Sequence, residues 1–153
     1  RFDLPHGKSV QAKWEDEMSE EQTREAGMKV RRHILGDAHV DRANKNITPL
    51  NEDFQDFLTR YGWGEVWTRD GFDYRTRRIL VMGTMLAIGR WEEFAMHLRA
   101  ALRDGFSLDD VKELMLQQAI YCGLPPVNTG YEHVFQVLEE LRADGVKING
   151  DWV

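Results

Sequence analysis

Apolar residues recur at helical spacing in several separate stretches of the chain, and residues that start or stop helices flank most of them. Ser19 begins a Ser-Glu-Glu-Gln capping box ahead of the first stretch, and Gly36 follows its last apolar residue. Thr48 and Pro49 predict the start of a second helix, which Gly62 ends. The same signals predict four further helices, over about 74–88, 91–103, 107–123 and 128–143.

The second half of the predicted 74–88 helix is apolar on nearly every side. Its apolar residues are Ile79, Leu80, Val81, Met82, Met85, Leu86 and Ile88. A helix of this kind is buried all round. We therefore expect it either at the centre of the domain or against a partner chain.

The remaining pattern predicts an all-α protein. Residues 63–72, between the second and third helices, contain two Trp and two Gly and predict a structured loop. No stretch shows sustained strand alternation. The helix count and the short connections are typical of a compact bundle of about six helices.

A chain of 153 residues suits one domain. We assign residues 19–146 to this helical domain, residues 147–153 to a loose C-terminal tail and residues 1–18 to an N-terminal arm. The apolar residues of the arm are too sparse for a helical face. Two interpretations of it stay open, a segment that lies on its own domain or on a neighbouring subunit, and a disordered tail.

The acidic composition limits the partners that the protein can bind. The formal net charge is −6, which disfavours nucleic-acid backbones and anionic membrane surfaces. The longest apolar run, residues 79–88, is about half of the ~20 residues that a membrane span needs. Cys122 is the single cysteine, so no intrachain disulfide can form, and a cytoplasmic location is expected.

Several common catalytic and nucleotide-binding motifs are absent from the sequence. It has no GxxxxGK(S/T) loop, no GxGxxG, no HExxH and no GxSxG. No two of its five histidines lie three or four residues apart, so no metal-binding pair is encoded on a helix. We expect no metal site, and a metal held by distant His and acidic residues is the alternative.

Residues 89–101 contain the most informative candidates for chemistry. Glu93 and His97 are four residues apart on a predicted helix, and Arg90 precedes Glu93 by three, so all three share a face if the helix reaches back to Arg90. His97 and Glu93 lie at the edge of the apolar arc, a position suited to proton transfer. Glu93 can fix the tautomer of His97 and raise its pKa toward neutral pH. The alternative is a helix-surface pair of little consequence.

Two further segments offer groups that can hold an anion. The predicted loop over residues 63–72, which begins at Trp63, is followed by three arginines, Arg75, Arg77 and Arg78. Clustered guanidinium groups bind carboxylates in a bidentate manner. The alternative there is an ordinary solvated basic stretch. Asn128 lies where a Gly-Leu-Pro-Pro sequence leads into the last predicted helix, whose free backbone N–H groups can hold an anion.

Taken together and in this order, these segments resemble the carboxymuconolactone decarboxylase family. The resemblance spans about three quarters of the chain, through residues 25–32, 35–41, 63–64, 67–69, 75–77, 97–101 and 119–125. The wider alkylhydroperoxidase D-like superfamily has a CxxC pair followed four residues later by His. This chain has Arg90 and Glu93 at those two positions, so peroxidase chemistry of that type is not expected.

The resemblance implies an alkylhydroperoxidase D-like helical fold and assembly into homo-oligomers, with a hexamer favoured and a trimer as the alternative. It also implies a reaction without any cofactor, the decarboxylation of 4-carboxymuconolactone to 3-oxoadipate enol-lactone and CO2 in protocatechuate breakdown. The partner would then be a small anionic lactone. The alternatives are another lactone, a polyketide-type substrate, or a non-catalytic oligomeric binding protein. A thiol peroxidase that uses Cys122 ranks last.

For such a reaction we assign the roles of the site residues as a hypothesis. His97 would protonate the carbon, with Glu93 orienting it or relaying the proton. Arg90 and one of the three other arginines would bind a carboxylate or stabilise the oxyanion. The residues expected to contact or line the substrate site are Arg75, Arg77, Arg78, His39, Trp63 and Asn128.

Overall fold

The computed structural model describes residues 18–150, and this part of the chain forms seven α-helices and one π-helix with no strand. The all-α prediction is therefore confirmed. The helices are α1 (Glu20–Leu35), α2 (Asp37–Lys45), α3 (Glu52–Phe57), the π-helix (Leu58–Val66), α4 (Tyr74–Ala87), α5 (Trp91–Arg103), α6 (Leu108–Cys122) and α7 (Leu124–Ala143). Within the described residues, no helix combines the length and the apolar character needed to cross a membrane. The predicted N-terminal arm lies, but for its last residue, outside the described residues.

The predicted helix starts after Ser19 and near residue 74 are confirmed, and both have side-chain caps. At the start of α1, Ser19 Oγ accepts from the Gln22 N–H (3.2 Å) and Gln22 Oε1 accepts from the Ser19 N–H (2.8 Å). Asp73 Oδ1 accepts from the Thr76 N–H (2.7 Å) at the start of α4. Each cap satisfies N–H groups that have no partner inside the helix, which is why these boundaries can be predicted from local sequence.

Two helix starts differ from the predictions. The Thr48 N–H donates to Asn51 Oδ1 (2.7 Å), so residues 48–51 form a turn and α3 begins only at Glu52. The last helix begins at Leu124, four residues before the predicted start at 128, with two prolines in its first turn. Proline is tolerated there because the first N–H groups of a helix need no partner inside the helix.

Two elements were not predicted at all. The helix α2 follows Gly36 directly, where the sequence analysis assigned no element. The π-helix occupies residues 58–66, so the predicted helix end at Gly62 is wrong, and residues 63–66 of the predicted 63–72 loop are helical. Its wider i→i+5 bonding is visible at its end, where the Trp67 N–H donates to the Gly62 carbonyl (3.1 Å).

The contacts within the chain define two units, of which unit 1 contains the described residues 18–30 and 47–68. Two glycines set its packing. A Cβ at Gly27 of α1 would lie 2.2 Å from the Thr59 carbonyl oxygen and 2.7 Å from the Gly64 nitrogen. A Cβ at Gly64 would lie 2.4 Å from the Thr23 carbonyl oxygen. The backbones of α1 and the π-helix therefore touch where neither has a side chain.

Unit 2 contains the described residues 31–46 and 69–150. In it α4, α5, α6 and α7 pack against one another around a single apolar cluster. The members with no more than 2% exposure are Met82, Leu86, Phe94, Leu98, Ala101, Leu102, Met115, Val137, Leu138 and Leu141. This core fixes the positions of α4 and α5, which carry most of the candidate site.

The described part of the C-terminal tail is not loose. The Leu108 N–H donates to the Asn149 carbonyl (2.9 Å), and Ile148 packs against the core of unit 2. Residues 151–153 of the predicted tail lie outside the described residues.

The apolar helix α4 is not buried on every side by its own chain. Leu80 is 53% exposed, and Ile88, which follows the last residue of α4, is 62% exposed. Met82 and Leu86 are fully buried on the opposite side. Of the two expected explanations, a fully central helix is therefore wrong, and cover by a partner chain stays a prediction.

Candidate functional site

Arg78 is a buried guanidinium at the centre of the candidate site in unit 2. Arg78 is 3% exposed and lies on the same face of α4 as the core residue Met82. Nη1 donates to Asp104 Oδ2 (2.8 Å) and Nη2 donates to the Ile34 carbonyl (3.2 Å). Nε is buried and has no hydrogen-bond partner within residues 18–150. A buried donor of this kind costs about 1–3 kcal/mol when left unpaired, so a ligand oxygen placed there would be stabilised.

His97 lies on the buried face of α5 between the core residues Phe94 and Leu98, and it is 8% exposed. Its Nδ1 is buried and has no partner in the part of the chain that the structure describes. Burial lowers the pKa of His97 to about 4, and the positive charges of Arg78 and His39 act in the same direction. The free imidazole is therefore neutral at pH 7, and it can accept a proton when a negative charge arrives beside it.

His39 on α2 and Arg31 near the end of α1 complete the cluster. Arg31 is 4% exposed, and burial lowers the pKa of its guanidinium, which stays cationic at neutral pH. Burial also lowers the pKa of His39, with further contributions from the charges of Arg42, Arg31 and Arg99. We call Arg31, His39, Arg78 and His97 the cationic cluster.

The cationic cluster combines positive charge with burial. Two of its members are arginines with at most 4% exposure, and Asp104, which is about half exposed, is the carboxylate bonded to Arg78. Electrostatic interactions are stronger in a partly desolvated site than in water. The arrangement therefore suits a bound anion, or negative charge that develops during a reaction.

Glu93 and Arg90 lie at the edge of this arrangement. Arg90 Nη2 donates to Glu93 Oε1 (2.6 Å), and their side chains are 61% and 36% exposed. Arg90 holds the pKa of Glu93 below its usual range. Glu93 raises the pKa of His97, but this effect is smaller than burial and the charges of Arg78 and His39. The expectation that Glu93 brings the pKa of His97 to neutral pH is therefore wrong.

The two neighbouring arginines of the predicted cluster are engaged elsewhere. Arg75 is exposed, pairs with Asp110 and lies over the Phe106 ring at 5.4 Å. Arg77 donates through Nη2 to the Arg69 carbonyl (2.8 Å). Of the three arginines, Arg78 is the one that is buried and whose charge acts on His97.

Trp63 and Asn128 were predicted to line the substrate site. Trp63 is buried in unit 1, 6% exposed, with its ring centroid 4.8 Å from that of Trp67. Asn128 is exposed in the second turn of α7. The predicted helix start beside it lies instead at Leu124, where two prolines contribute no N–H groups for an anion.

Arg31 was not singled out from the sequence, although a signal was present. It lies four residues after Gly27 and three before Ile34, which are both buried, so it falls on the buried stripe of α1. An arginine on such a stripe is rarely buried without a structural or functional reason. Arg78 carries the same signal, four residues before Met82 on α4.

The fold and the site define a class, an all-helical protein with a buried imidazole among guanidinium groups. The model of the carboxymuconolactone decarboxylase family matches residues 52–136, more than half of the chain. A 4-carboxymuconolactone decarboxylase of Acinetobacter baylyi is 40% identical over 134 residues, 88% of this chain and 100% of that protein. The chain belongs to the carboxymuconolactone decarboxylase family.

Two other relatives add detail. A 4-carboxymuconolactone decarboxylase of Pseudomonas putida is 48% identical over 48 residues, which are 31% of this chain and 100% of that sequence. A nitrosuccinic acid decarboxylase of Metarhizium robertsii is 36% identical over 99 residues, which are 65% of this chain and 69% of that protein. All three relatives are named as decarboxylases, two of 4-carboxymuconolactone and one of nitrosuccinic acid.

Proposed function

We propose that this protein decarboxylates 4-carboxymuconolactone to 3-oxoadipate enol-lactone and CO2 in the cytoplasm, without a metal or an organic cofactor. One observation supports this most: His97 Nδ1 and Arg78 Nε are both buried without a partner in the described chain, within one group of interacting charges. The match to the full length of a relative with this activity favours the same substrate.

The chemistry of the substrate explains why no cofactor is required. The departing carboxylate is attached to the γ-carbon of an unsaturated lactone. When the bond to CO2 breaks, its electron pair moves through the alkene to the lactone carbonyl oxygen and forms a dienolate. Conjugation stabilises this dienolate, so the protein has to stabilise an oxyanion and supply a proton.

We assign the oxyanion to Arg78. Its Nε–H would donate to the lactone oxygen, where negative charge increases as CO2 leaves. A hydrogen bond to a growing charge stabilises the transition state more than the bound substrate, which is what raises the rate. The departing carboxylate requires an apolar environment rather than hydrogen bonds, because it loses its charge when it becomes CO2.

We assign the proton transfer to His97. Its imidazole is neutral in the free protein because of burial beside Arg78 and His39. An anionic substrate reverses the sign of the local charge and raises the pKa, so His97 takes up a proton from solvent. Nδ1 then delivers this proton to the α-carbon of the dienolate. The overall step consumes one proton and one carboxylate and releases one CO2.

The test is CO2 release from synthetic 4-carboxymuconolactone. Loss of a general acid costs about 10²–10⁴-fold in rate, so His97→Asn should lose turnover on that scale. Glu93→Gln should lose less, about tenfold or below, since Glu93 bonds Arg90 and influences His97 least. His133→Asn is the matched control, because His133 stacks on Trp91 outside the cluster.

Wild-type turnover in both His97→Asn and Glu93→Gln would overturn the assignment of proton delivery. A chelator in the same assay tests the proposal that no metal takes part, and loss of activity with chelator would contradict it. No CO2 from this lactone under any condition would contradict the proposed reaction itself.

Nitrosuccinic acid is the second candidate substrate, and the similarity to the Metarhizium robertsii enzyme favours it. Loss of CO2 beside a nitro group also places the electron pair on oxygen atoms, so the same arginine and histidine roles apply. In one assay that contains both 4-carboxymuconolactone and nitrosuccinic acid, the two compounds compete for the enzyme. A higher kcat/KM for nitrosuccinic acid would select this candidate over the lactone.

We also propose that the protein works as a homo-oligomer, with a hexamer favoured over a trimer. The support is exposed apolar surface in unit 2. Ile120 is 80% exposed, Leu124 69%, Ile88 62% and Leu80 53%. Isolated apolar residues are normal at a surface, but rows of them on helices are typical of interfaces.

A further inference from the structure

The surroundings of His39 contain positive charge that the proton-transfer step does not use. After burial, the charges that lower its pKa are those of Arg42, Arg31 and Arg99. Arg99 is paired with Glu140 and Arg42 is exposed. Arg31 is the most deeply buried of these three arginines, at 4% exposure, and this burial is what distinguishes it from Arg42 and Arg99.

Arg31 and His39 are next to the proposed reaction site. Arg78 Nη2 donates to the Ile34 carbonyl (3.2 Å), which lies one helical turn after Arg31 on α1. The charge of His39 acts on His97. The cationic cluster therefore consists of two adjacent pairs of residues. Arg78 and His97 form one pair, and Arg31 and His39 form the other.

The proposed substrate has a second carboxylate, at the end of its acetate side chain, which remains in the product. We propose that Arg31 is the residue that selects for this carboxylate, binding it beside His39 while Arg78 and His97 act on the lactone. The inference rests on the proposed function. A guanidinium binds a carboxylate through two parallel hydrogen bonds, which fixes the orientation of the ring as well as its position.

Binding of the acetate carboxylate beside Arg31 and His39 also favours uptake of a proton by the protein. A carboxylate placed beside His39 opposes the charges of Arg31 and Arg42 and favours the imidazolium form. The protein therefore takes up part of a proton when the acetate arm binds near neutral pH. A residue with a purely structural role would not produce this uptake.

The probe for the experiment is muconolactone, which keeps the acetate arm and has hydrogen in place of the departing carboxylate. It cannot lose CO2, so its equilibrium binding is measurable by isothermal titration calorimetry on the full chain. Its methyl ester has the same ring without the charge. Since a charge-assisted bond contributes about 1.5–3 kcal/mol, we expect the wild type to bind the acid about 10- to 100-fold more tightly than the ester.

Variants separate Arg31 from other charges. In Arg31→Gln the ratio of acid to ester affinity should fall to about 1–3, and Arg31→Lys should give an intermediate value because it keeps charge without the fork. Arg103→Gln is the matched control, because Arg103 is exposed on α5, pairs with Asp144 and should leave the ratio unchanged. Titrations in buffers of different ionisation enthalpy should show proton uptake in the wild type, reduced in His39→Gln.

The outcomes distinguish this inference from the proposed function. If the wild type binds ester and acid equally, or if Arg31→Gln keeps the wild-type ratio, the inference is wrong even when CO2 is released from 4-carboxymuconolactone. If the ratio depends on Arg31 but no CO2 is released, the carboxylate site stands and the proposed reaction is wrong. The wild-type ratio needs no variant, so a variant that fails to fold does not remove the test.

In steady-state kinetics Arg31→Gln should raise KM for the proposed substrate more than it lowers kcat. The acetate carboxylate keeps its charge throughout the reaction, so its contact with Arg31 is similar in the bound substrate and in the transition state. A fall in kcat alone, with KM unchanged, would contradict a role in substrate selection.

Discussion

His97 is a histidine whose protonation is opposed by its surroundings, and this couples its charge to the stability of the fold. Its pKa is lowered to about 4 from an ordinary value of 6.5, first by burial and then by Arg78 and His39. Between these two values the unfolded chain binds more protons than the folded chain. The free energy of unfolding therefore falls as the pH decreases from 6.5 toward 4.

We predict that this single group removes roughly 3 kcal/mol of stability across that interval. Urea unfolding at several pH values measures the slope, and His97→Gln should flatten it. His39 has a lowered pKa as well, so part of the slope should remain in that variant. An unchanged slope in His97→Gln would mean that His97 is solvated in the folded protein, and His133→Gln serves as the control.

At the residue scale, sequence reasoning found some of the candidate site and missed part of it. His97 could be identified because imidazole is unusual at the edge of an apolar helical face. Arg78 could be named only as one of three arginines, since which of them is buried depends on where Ile34 and Asp104 lie in the fold. Arg31 shares a helical stripe with Gly27 and Ile34, but this stripe predicts burial only once the packing of α1 is known.

The contact between α1 and the π-helix is the feature at the element scale that depends most on single residues. Gly27 and Gly64 let two backbones touch, and a Cβ at Gly64 would lie 2.4 Å from the Thr23 carbonyl oxygen. Backbone atoms cannot move aside as a flexible side chain can. This close approach, rather than turn formation, explains why glycine is required at both positions.

We predict that Gly64→Ala destabilises the protein by at least about 2 kcal/mol, measured by urea unfolding. Gly62→Ala is the matched control in the same π-helix, because its Cβ would meet only Leu58 Cδ1 at 3.6 Å, an ordinary contact. Equal stability of the two variants would show that the backbones of α1 and the π-helix are further apart than described.

Helix starts that carry a side-chain cap were predictable from the sequence, but the kind of helix was not. Ser19 and Asp73 mark their helices through hydrogen bonds to residues three positions later, which is local information. The π-helix depends on i→i+5 bonding, which a 3.6-residue pattern cannot reveal, and on a neighbouring backbone at Gly64. A loop was consequently predicted over residues 63–72, of which residues 63–66 are helical.

At the scale of the whole molecule, the all-α class and the family follow from sequence, whereas the surroundings of α4 do not. Its apolar residues point in every direction, yet one chain buries only part of them, with Leu80 left 53% exposed. A single sequence cannot state whether such a surface faces its own domain or a second copy. The exposed apolar residues Ile120 on α6 and Leu124 at the start of α7 raise the same question.

We predict that another copy of the chain covers Ile120 and Leu124, and a substitution at Ile120 tests this prediction. Ile120 is 80% exposed, so Ile120→Glu removes no contact within one chain and should leave its unfolding free energy nearly unchanged. In an interface the same change loses about 1.5–3 kcal/mol of apolar burial per copy and adds a desolvated charge. Sedimentation velocity should then show smaller species than for the wild type. Lys112→Glu, an exposed charge reversal on the same helix, should keep the wild-type assembly, whereas identical sedimentation of wild type and Ile120→Glu would place the interface elsewhere or exclude it.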